Sequence, residues 1–322
     1  MTSSPSAPGD VPGAGVLPFG DDANSPELTA VLGAIAKSVV DIGVRLREGG
    51  AEFAAEAVGT QNSFGDVQLS VDVSSDKVVF QRLKGLAAVA SSEETTEEVS
   101  MEGPPHYSVA FDPLDGSSIV DANFTVGSIF GVWPGSTLLN VTGKQQHAAA
   151  MAMYGPRITM AVATVNHGTV EFTWAQNSWR KTKSFAVQPK LGKVFAPGNL
   201  RATADNALYS NLVQHWIKEK YTLRYTGGMV PDVYHILFKG KGIFTNCSSP
   251  GAKAKLRLLY ECAPIAFLVE RAGGASLVDP AFSAVPQSVL EIAAQELDQR
   301  IGVVYGGKEE VDLCQKHLFP EN

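Results

Sequence analysis

The segment FDPLDGSSIVD, residues 111–121, gathers three aspartates within eleven positions and contains no basic residue. Asp112 and Asp115 directly follow the apolar run YSVAF, where a buried strand is expected to end, and Pro113 between them stiffens the backbone. Carboxylates at this density repel one another and need a partner of opposite charge. Because Mg²⁺ binds oxygen ligands in a rigid geometry, the segment predicts a metal site rather than an ordinary turn.

The residues that follow these aspartates predict an anion site. Gly116, Ser117 and Ser118 are typical of a turn that opens a helix, and backbone amides at a helix N-terminus bind phosphate groups. Farther along, residues 218–257 carry eight basic and two acidic side chains, whereas residues 85–143 carry no basic one. Carboxylates for a metal, amides for a phosphate and a basic segment for a further phosphate together indicate phosphoryl transfer to water.

The composition argues against several other kinds of protein. A net charge of −7 is unlike the basic surface of a nucleic-acid-binding protein, and no apolar run reaches the roughly 20 residues of a membrane span. We therefore expect neither nucleic acid nor a membrane as a partner. The three cysteines are too few and too scattered for a disulfide framework or a zinc site, which favours a reducing compartment.

The first 25 residues predict a disordered tail, because they are rich in Pro, Gly, Ser and Asp. They contain no basic residue and no apolar core, so they resemble neither an organellar transit peptide nor a secretory signal. We accordingly expect a cytoplasmic location.

The hydrophobic pattern predicts an α+β protein of two mixed subdomains, because helices and strands alternate in blocks. The tail at 1–25 precedes a metal-binding subdomain at 26–190 and a substrate-binding subdomain at 191–322. The expected elements are a helix that starts with Ser25 and Pro26 and ends at Gly49 and Gly50, a helix over 75–86, an antiparallel meander over 107–183, a helix over 208–220, a strand over 242–245 and a helix over 252–271.

The motif FDPLDGSS resembles the metal-binding signature of the lithium-sensitive, magnesium-dependent sugar phosphatases, a family that includes fructose-1,6-bisphosphatase and inositol monophosphatase. Further blocks follow in the order of the family between residues 62 and 279 and resemble its sedoheptulose-1,7-bisphosphatase branch. They are NSFGDVQLSVDVSSDK, the extended signature up to NFTVGSIFGVWPG, FAPGNLRAT, KEKYTLRYTGGMVPDV and AKAKLRLLYECAPIAFLVERAGG.

The resemblance implies a layered αβαβα sandwich of the sugar-phosphatase type. It implies hydrolysis of the 1-phosphate of sedoheptulose 1,7-bisphosphate by a metal-activated water. The implied cofactor is Mg²⁺, with Mn²⁺ as an alternative, at two or more ions per subunit. A sugar bisphosphate is the implied small-molecule partner, and the implied assembly is a homodimer or a homotetramer.

Carried over by position, the resemblance implies five metal-binding residues. They are Glu94, Asp112, Asp115 and Glu261 through their carboxylates and Leu114 through its carbonyl oxygen. Glu261 also allows a second interpretation, an exposed helix residue. Its apolar neighbours favour a buried element instead, in which an unpaired carboxylate is costly.

Glu93 and Asp76 are predicted to activate the attacking water, because a carboxylate beside a metal-bound water accepts its proton. Which of the two is the base stays open, since Glu93 can also bind metal. Asp72 is a weaker candidate that equally well caps a helix. Ser117 is expected to orient the water or to bind phosphate, and it also fits a plain turn.

The implied substrate site has one part at the signature and one part downstream. It comprises Asp115, Gly116, Ser117, Ser118, Asn199, Arg201, Arg224, Tyr225, Gly228, Met229 and Lys255. Arg224 and Lys255 suit the distal phosphate, and in the family the arginine at the position of Arg224 often reaches in from a neighbouring subunit. Tyr225 and Met229 also fit core packing, and Arg257 fits a structural ion pair.

The chain departs from the plastid members of this branch, which carry a paired-cysteine redox switch just before NSFGD. The corresponding stretch AEFAAEAVGTQ contains no cysteine, so we expect no activation by thiols. The missing switch also favours the cytoplasmic location.

Two other functions stay open. Fructose-1,6-bisphosphatase is the alternative within the same class, because both substrates place a phosphate at the metals and another near the cations. A non-catalytic regulator that binds sugar phosphates is the alternative outside the enzymes. The full set of metal carboxylates argues against the regulator, which has no need of all of them.

Overall fold

The computed structural model describes residues 13–18, 24–48, 57–61 and 67–320 of the 322-residue chain. The helices in this part are α1 (Pro26–Glu48), α2 (Ser70–Leu83), α3 (Ala207–Lys218), α4 (Met229–Lys239), α5 (Ala263–Arg271) and α6 (Lys308–Leu318). The strands are β1 (Ala57–Gln61), β2 (Val67–Leu69), β3 (Val89–Ser92), β4 (Val99–Ser100), β5 (Tyr107–Asp115), β6 (Val126–Pro134), β7 (Ala148–Tyr154), β8 (Ile158–Thr164), β9 (Val170–Ala175), β10 (Ser178–Ser184), β11 (Val194–Gly198), β12 (Thr222–Leu223), β13 (Ile243–Asn246), β14 (Ala275–Val278) and β15 (Val303–Gly306).

Helix α1 begins as its sequence predicts. The hydroxyl of Ser25 accepts a hydrogen bond from the backbone N–H of Leu28 at 3.2 Å, and Pro26 is the first helical residue. Its apolar stripe is buried, as the helical spacing requires. The helix is described to Glu48, and its predicted end at Gly49 and Gly50 lies outside the described residues.

An eight-stranded sheet has the order β10-β9-β8-β7-β6-β5-β3-β4. From β5 to β10 each strand pairs antiparallel with the next, so the predicted meander is confirmed. Strand β3 instead runs parallel to β5, with Ser92 opposite Phe111. The carboxyl ends of these two strands therefore meet at one edge of the sheet.

A second sheet of five strands has the order β12-β11-β13-β15-β14. Strand β11 is parallel to β12 and β13, whereas β15 pairs antiparallel with β13 and β14. The carboxyl ends of β11 and β13 lie side by side, an arrangement at which α/β proteins commonly bind ligands.

Five layers of helices and sheets enclose three buried cores, which confirms the αβαβα architecture. The first core lies between α1, α2 and one face of the large sheet; the second joins its other face to α4, α5 and the small sheet; the third joins the small sheet to α3 and α6. Among the described helices, none has the length and apolar character that a membrane span requires. Representative core residues are Ile35 and Phe130 in the first core, Ile129 and Leu268 in the second, and Phe195 and Trp216 in the third.

Two predicted helices differ from the structure at their starts. Helix α2 begins at Ser70 rather than at residue 75. The helix predicted over 252–271 begins only at a π-helical turn, Leu258–Cys262, which continues into α5. The preceding segment bonds to another part of the chain, because Ile301 donates its N–H to the carbonyl of Leu256 at 3.0 Å, and this contact replaces helical bonds.

Part of the segment predicted as a disordered tail is packed. Ala14 is only 1% exposed, and its carbonyl accepts a hydrogen bond from the indole N–H of Trp179 at 2.8 Å. A buried indole needs such a partner, and residues 13–18 supply it. The division at residue 190 stays a prediction, since the second core draws on residues from both sides of it.

Candidate active site

The site begins at the edge where β3 and β5 end side by side. Glu93 directly follows β3, and its backbone N–H donates to the carbonyl of Phe111 at 3.1 Å. Asp112, Leu114 and Asp115 lie on the last residues of β5, where the pairing with β6 is irregular. The parallel pairing thus carries acidic side chains from two distant segments to one place.

Three carboxylates converge at this edge. Oxygens of Glu93, Asp112 and Glu261 lie within 4.8 Å of one another. Asp112 and Glu261 are each 4% exposed, and Glu93 is half-buried. Glu261 comes from the π-helical turn, so the interpretation of this residue as an exposed helix position is wrong.

The electrostatics of this cluster favour a cation. Burial raises the pKa of Asp112 well above its usual range, and the neighbouring charges of Glu93 and Glu261 raise it further. Burial and the charge of Glu93 likewise raise the pKa of Glu261, although the backbone N–H of Arg257 donates to its Oε2 at 2.6 Å. Because all the donors are oxygens, buried and close together, the residues fit a hard divalent cation.

Arg257 supplies positive charge at the border of the cluster. Its Nη1 donates to Glu93, and its Nε donates to Asp298 at 2.5 Å. The same carboxylate of Asp298 also contacts Arg300 at 3.3 Å. Arg257 is 4% exposed, so the interpretation of this residue as a structural ion-pair partner agrees with its geometry.

Three predicted metal ligands, Glu94, Leu114 and Asp115, lie outside the group of three clustered carboxylates. Glu94 is half-buried outside this group, and its charge acts on Asp72. Leu114 has a buried side chain, and its backbone N–H donates to Oδ1 of Asp112 at 2.9 Å. Metal binding by the carboxylates of Glu94 and Asp115 and by the Leu114 carbonyl stays a prediction.

Asp115 contacts the start of α4, which lies more than a hundred residues farther along the chain. Its Oδ2 accepts a hydrogen bond from the backbone N–H of Val230, in the first turn of α4, at 2.7 Å. Burial raises the pKa of Asp115 to about 6, and backbone donors on α4 oppose the rise. In the sequence, this contact is indicated by the pair Gly227-Gly228 before an apolar run, because glycines permit a close approach of the chain at a helix start.

The segment after Asp115 is a short turn rather than the start of a regular helix. Gly116 has φ +85°, a left-handed conformation that glycine tolerates, and Ser117–Ile119 form one 3-10 turn. The Ser117 hydroxyl bonds to Asp72, whereas Ser118 is exposed. Gly116 also lies against α4, because a Cβ on it would be 3.7 Å from Cα of Gly228.

Helix α2 presents two buried aspartates to this edge. Asp76 accepts hydrogen bonds from the hydroxyls of Ser92 at 2.5 Å and Thr95 at 2.9 Å, and burial raises its pKa to about 6. Asp72 lies one turn earlier, and burial together with the charge of Glu94 raises its pKa to about 8. Asp72 also bonds to the backbone of Leu69, so it caps α2 as well as facing the site.

The predicted substrate residues lie around two cavities. A cavity of about 1260 Å³ is lined by Arg201 and Lys255, both exposed. A second cavity of about 590 Å³ is lined by Arg224 and Tyr225. The structure therefore does not bring all four side chains into one cavity of a single subunit.

The remaining substrate candidates have identifiable structural roles. The amide Nδ2 of Asn199 donates to the carbonyls of Cys247 and Ala252, each at 2.8 Å, and so holds the loop that leads to Lys255. Gly228 is the residue before α4, and Met229 is 3% exposed, in agreement with core packing. Tyr225 is 46% exposed, so core packing does not describe it.

Comparison with known proteins agrees with this geometry. Residues 20–183 match the family described as fructose-1-6-bisphosphatase, N-terminal domain, and residues 188–319 match the corresponding C-terminal domain. The chloroplastic sedoheptulose-1,7-bisphosphatase of Spinacia oleracea is 53% identical over 82% of this chain and 69% of its own length. The chloroplastic enzyme of Triticum aestivum is 54% identical over 80% of this chain and 65% of its own. The chain thus spans about two thirds of each relative.

A solved structure gives the same result for the fold. The fructose-1,6-bisphosphatase of Leishmania major in holo form superposes with a TM-score of 0.81 at 28% identity, over 92% of this chain and 95% of that one. Fold and carboxylate cluster define a phosphoric monoester hydrolase of the sugar-phosphatase class. The chain belongs to the fructose-1,6-bisphosphatase family, whose members are metal-dependent phosphatases, so the predicted resemblance is confirmed.

The prediction of a cytoplasmic location is wrong by this comparison. The sedoheptulose-1,7-bisphosphatases of Spinacia oleracea and Triticum aestivum, which share more than half of their aligned residues with this chain, are chloroplastic. The prediction depended on the composition of the first 25 residues and on a missing cysteine pair. Both are features of single segments, whereas the similarity to the chloroplastic enzymes extends over about four fifths of this chain.

Proposed function

We propose that the chain hydrolyses the 1-phosphate of sedoheptulose 1,7-bisphosphate to give sedoheptulose 7-phosphate and phosphate. The observation that carries the proposal is the convergence of Glu93, Asp112 and Glu261 within 4.8 Å at the end of a buried parallel strand pair. The identity of 53–54% to two sedoheptulose-1,7-bisphosphatases supports the choice of sugar.

Mg²⁺, or Mn²⁺ in its place, is the proposed cofactor, at two or more ions per subunit. Asp112, Glu261 and Glu93 are proposed as its principal ligands, joined by Asp115, Glu94 and the carbonyl of Leu114. The distribution of acidic groups over two strand ends and one helical turn supports more than one ion. When bound, the ions polarise the phosphoryl group and lower the pKa of a water molecule.

The proton of the attacking water is proposed to pass to an aspartate of α2. Asp72 and Asp76 are both buried, and each is oriented by hydroxyl groups: Asp72 by Ser117, and Asp76 by Ser92 and Thr95. Asp72 has the higher pKa of the two, about 8 against about 6, and is therefore the stronger base. Glu93 is held by Arg257 beside two other carboxylates, which supports a ligand role for it rather than a role as the base.

The substrate is proposed to lie between this cluster and exposed cations. Gly116, Ser117 and Ser118 border the reacting phosphate, and Lys255 and Arg201 lie along the larger cavity for the distal phosphate. Asn199, Gly228 and Met229 act by holding the surrounding loops and the start of α4.

Arg224 and Tyr225 are proposed to serve the substrate site of a neighbouring subunit in a homodimer or homotetramer. Both line the smaller cavity, and Leu223 and Phe238 expose apolar surface at the same place. Light scattering on the purified chain tests this assembly. A monomeric, fully active protein would contradict the shared site.

A plastid is the proposed location, since the similar sedoheptulose-1,7-bisphosphatases of Spinacia oleracea and Triticum aestivum are chloroplastic. Fractionation of cells that express the chain from its own gene tests this proposal. Recovery with cytosolic markers alone contradicts it.

The deciding experiment measures phosphate release from sedoheptulose 1,7-bisphosphate and fructose 1,6-bisphosphate in parallel, with and without Mg²⁺. Wild type is compared with Asp112→Asn, which keeps the size of the side chain and removes its charge. Faster phosphate release from sedoheptulose 1,7-bisphosphate than from fructose 1,6-bisphosphate, together with loss of release in Asp112→Asn, supports the proposal. Preference for fructose 1,6-bisphosphate would keep the mechanism and change the substrate. No phosphate release from either substrate would overturn the proposed enzymatic activity.

A further inference from the structure

Two histidines face each other in the layer formed by α3 and α6, across the small sheet from the carboxylate cluster. His215 lies in the last turn of α3, and His317 lies in the last turn of α6. Their ring centroids are 5.0 Å apart, and the planes are inclined by 51°. Both side chains are half-buried, and neither takes part in the hydrolysis described above.

Packing fixes the approach of these two rings. Trp216 and Leu318, the residues directly after the histidines, are 0% and 1% exposed in the third core. Leu212 and Cys314, one turn earlier on the same two helices, are buried there too. Because both helices are anchored on each side of the histidines, little conformational entropy is lost when the rings bind one ligand.

The separation of the rings suits two imidazoles on one metal ion. A metal–nitrogen bond of about 2.0 Å places the ion about 3.1 Å from each ring centroid. With one nitrogen of each ring directed at a shared ion, centroids 5.0 Å apart would subtend roughly 108° there, close to the tetrahedral angle of about 109°. A direct hydrogen bond between the rings is not among the contacts of the described residues.

The local charges also favour a cation. Two helices end here, and the negative ends of their dipoles converge on the rings. The buried carboxylate of Glu310 interacts electrostatically with His215, whereas Lys218 and Lys316 extend into solvent. Burial and then the charge of His215 lower the pKa of His317, which favours the neutral imidazole that metals bind.

We propose that His215 and His317 form a site for one borderline divalent cation of the Zn²⁺ type, with water completing its coordination. Imidazole nitrogens select such ions, whereas the all-oxygen cluster near β5 suits Mg²⁺. The bound ion links α6 to α3. This inference is independent of the proposed hydrolysis.

The test is a calorimetric titration of Zn²⁺ into the full chain, with Mg²⁺ in excess, in parallel with thermal unfolding. The Asp112→Asn variant provides a background in which zinc binding at the carboxylate cluster is weakened. We expect one zinc ion per chain in that background and a rise in the melting temperature. His215→Ala and His317→Gln should each weaken binding by at least roughly tenfold, and His106→Ala, at an exposed histidine elsewhere, should not.

Two results overturn the proposal. One is zinc binding of unchanged affinity in both His215→Ala and His317→Gln. The other is loss of all zinc binding in Asp112→Asn alone, which assigns the ion to the carboxylate cluster. Melting temperatures of the histidine variants without zinc, compared with wild type, separate a lost ligand from a damaged fold.

Discussion

Asp115 and Val230, which lie far apart in the chain, are joined by a hydrogen bond of 2.7 Å from the backbone N–H of Val230 to Oδ2 of Asp115. The bond connects the end of β5 to the first turn of α4 and satisfies an N–H group that the helix itself leaves open. Asp115, an aspartate of the phosphatase signature, therefore also holds α4 in the helical layer between the two sheets.

Substitution of Asp115 should separate its role in holding α4 from its role at the active site. Asp115→Ala removes the acceptor, and we expect the free energy of unfolding to fall by about 1 to 2 kcal/mol, as for the loss of a helix cap. Asp115→Asn keeps an acceptor oxygen and should cost less. Both variants should lose at least about a hundredfold in phosphate release if the charge serves a metal. Urea denaturation in EDTA, beside the activity assay, checks both; equal stability losses contradict the capping role.

The antiparallel order of β5 to β10 could be predicted because it depends on local pattern. Strands β5 to β10 are apolar runs separated by short turns, and they lie within the predicted meander over 107–183 apart from one residue at its end. Helix starts were less accurate, since Asp72 both caps α2 and faces the site, and either role explains an aspartate there. Residues 252–257 contain good helix formers, but Ala252 and Ala254 donate their N–H groups to the side chains of Ser249 and Ser248. The carbonyl of Leu256 accepts from Ile301 instead of from a helical neighbour.

The site could be predicted in residue type but not in its contacts. The signature identified Asp112 and Asp115, and the apolar neighbours of Glu261 indicated its burial. The pairing of Glu93 with Arg257 was not predictable, because it joins the end of β3 to a turn 164 residues away. No local period or spacing encodes such a contact, which tertiary packing alone brings about.

Arg257 should stabilise the fold by neutralising two carboxylates. Arg257→Met leaves Glu93 and Asp298 without the guanidinium that contacts them, and breaking a buried pair in this way costs about 3 kcal/mol or more. Arg300→Met is the matched control. Arg300 contacts the same Asp298 at 3.3 Å from a more exposed position, so its loss should cost less than about 1 kcal/mol. Urea denaturation of both variants measures the difference, and similar losses would count against the buried pair.

Asp72 should make the metal-free protein less stable as pH rises. Its folded-state pKa of about 8 lies above the ordinary value of 3.8, so the folded state keeps a proton that the unfolded chain releases between these values. Stability therefore falls as pH rises through this range and levels off above about pH 8. Asp72→Asn cannot ionise and should remove this part of the slope.

The measurement for Asp72 is the free energy of unfolding in EDTA at several pH values, for wild type and Asp72→Asn. The variant should gain stability over wild type as the pH increases. Asp312→Asn, at an exposed aspartate of α6, is the control and should follow wild type. A difference that is constant with pH would mean that Asp72 titrates near its ordinary value in the folded protein.

The three cysteines should leave the rate of hydrolysis insensitive to thiols. Cys247, Cys262 and Cys314 are each fully buried, and burial raises the pKa of every one of them, so little thiolate is available for exchange. We expect reductant or reduced thioredoxin to leave the rate of phosphate release unchanged. Parallel assays of the oxidised and reduced protein measure this rate. A many-fold gain on reduction would require a disulfide among these three residues, and a Cys262→Ser variant, at the residue beside Glu261, would then locate it.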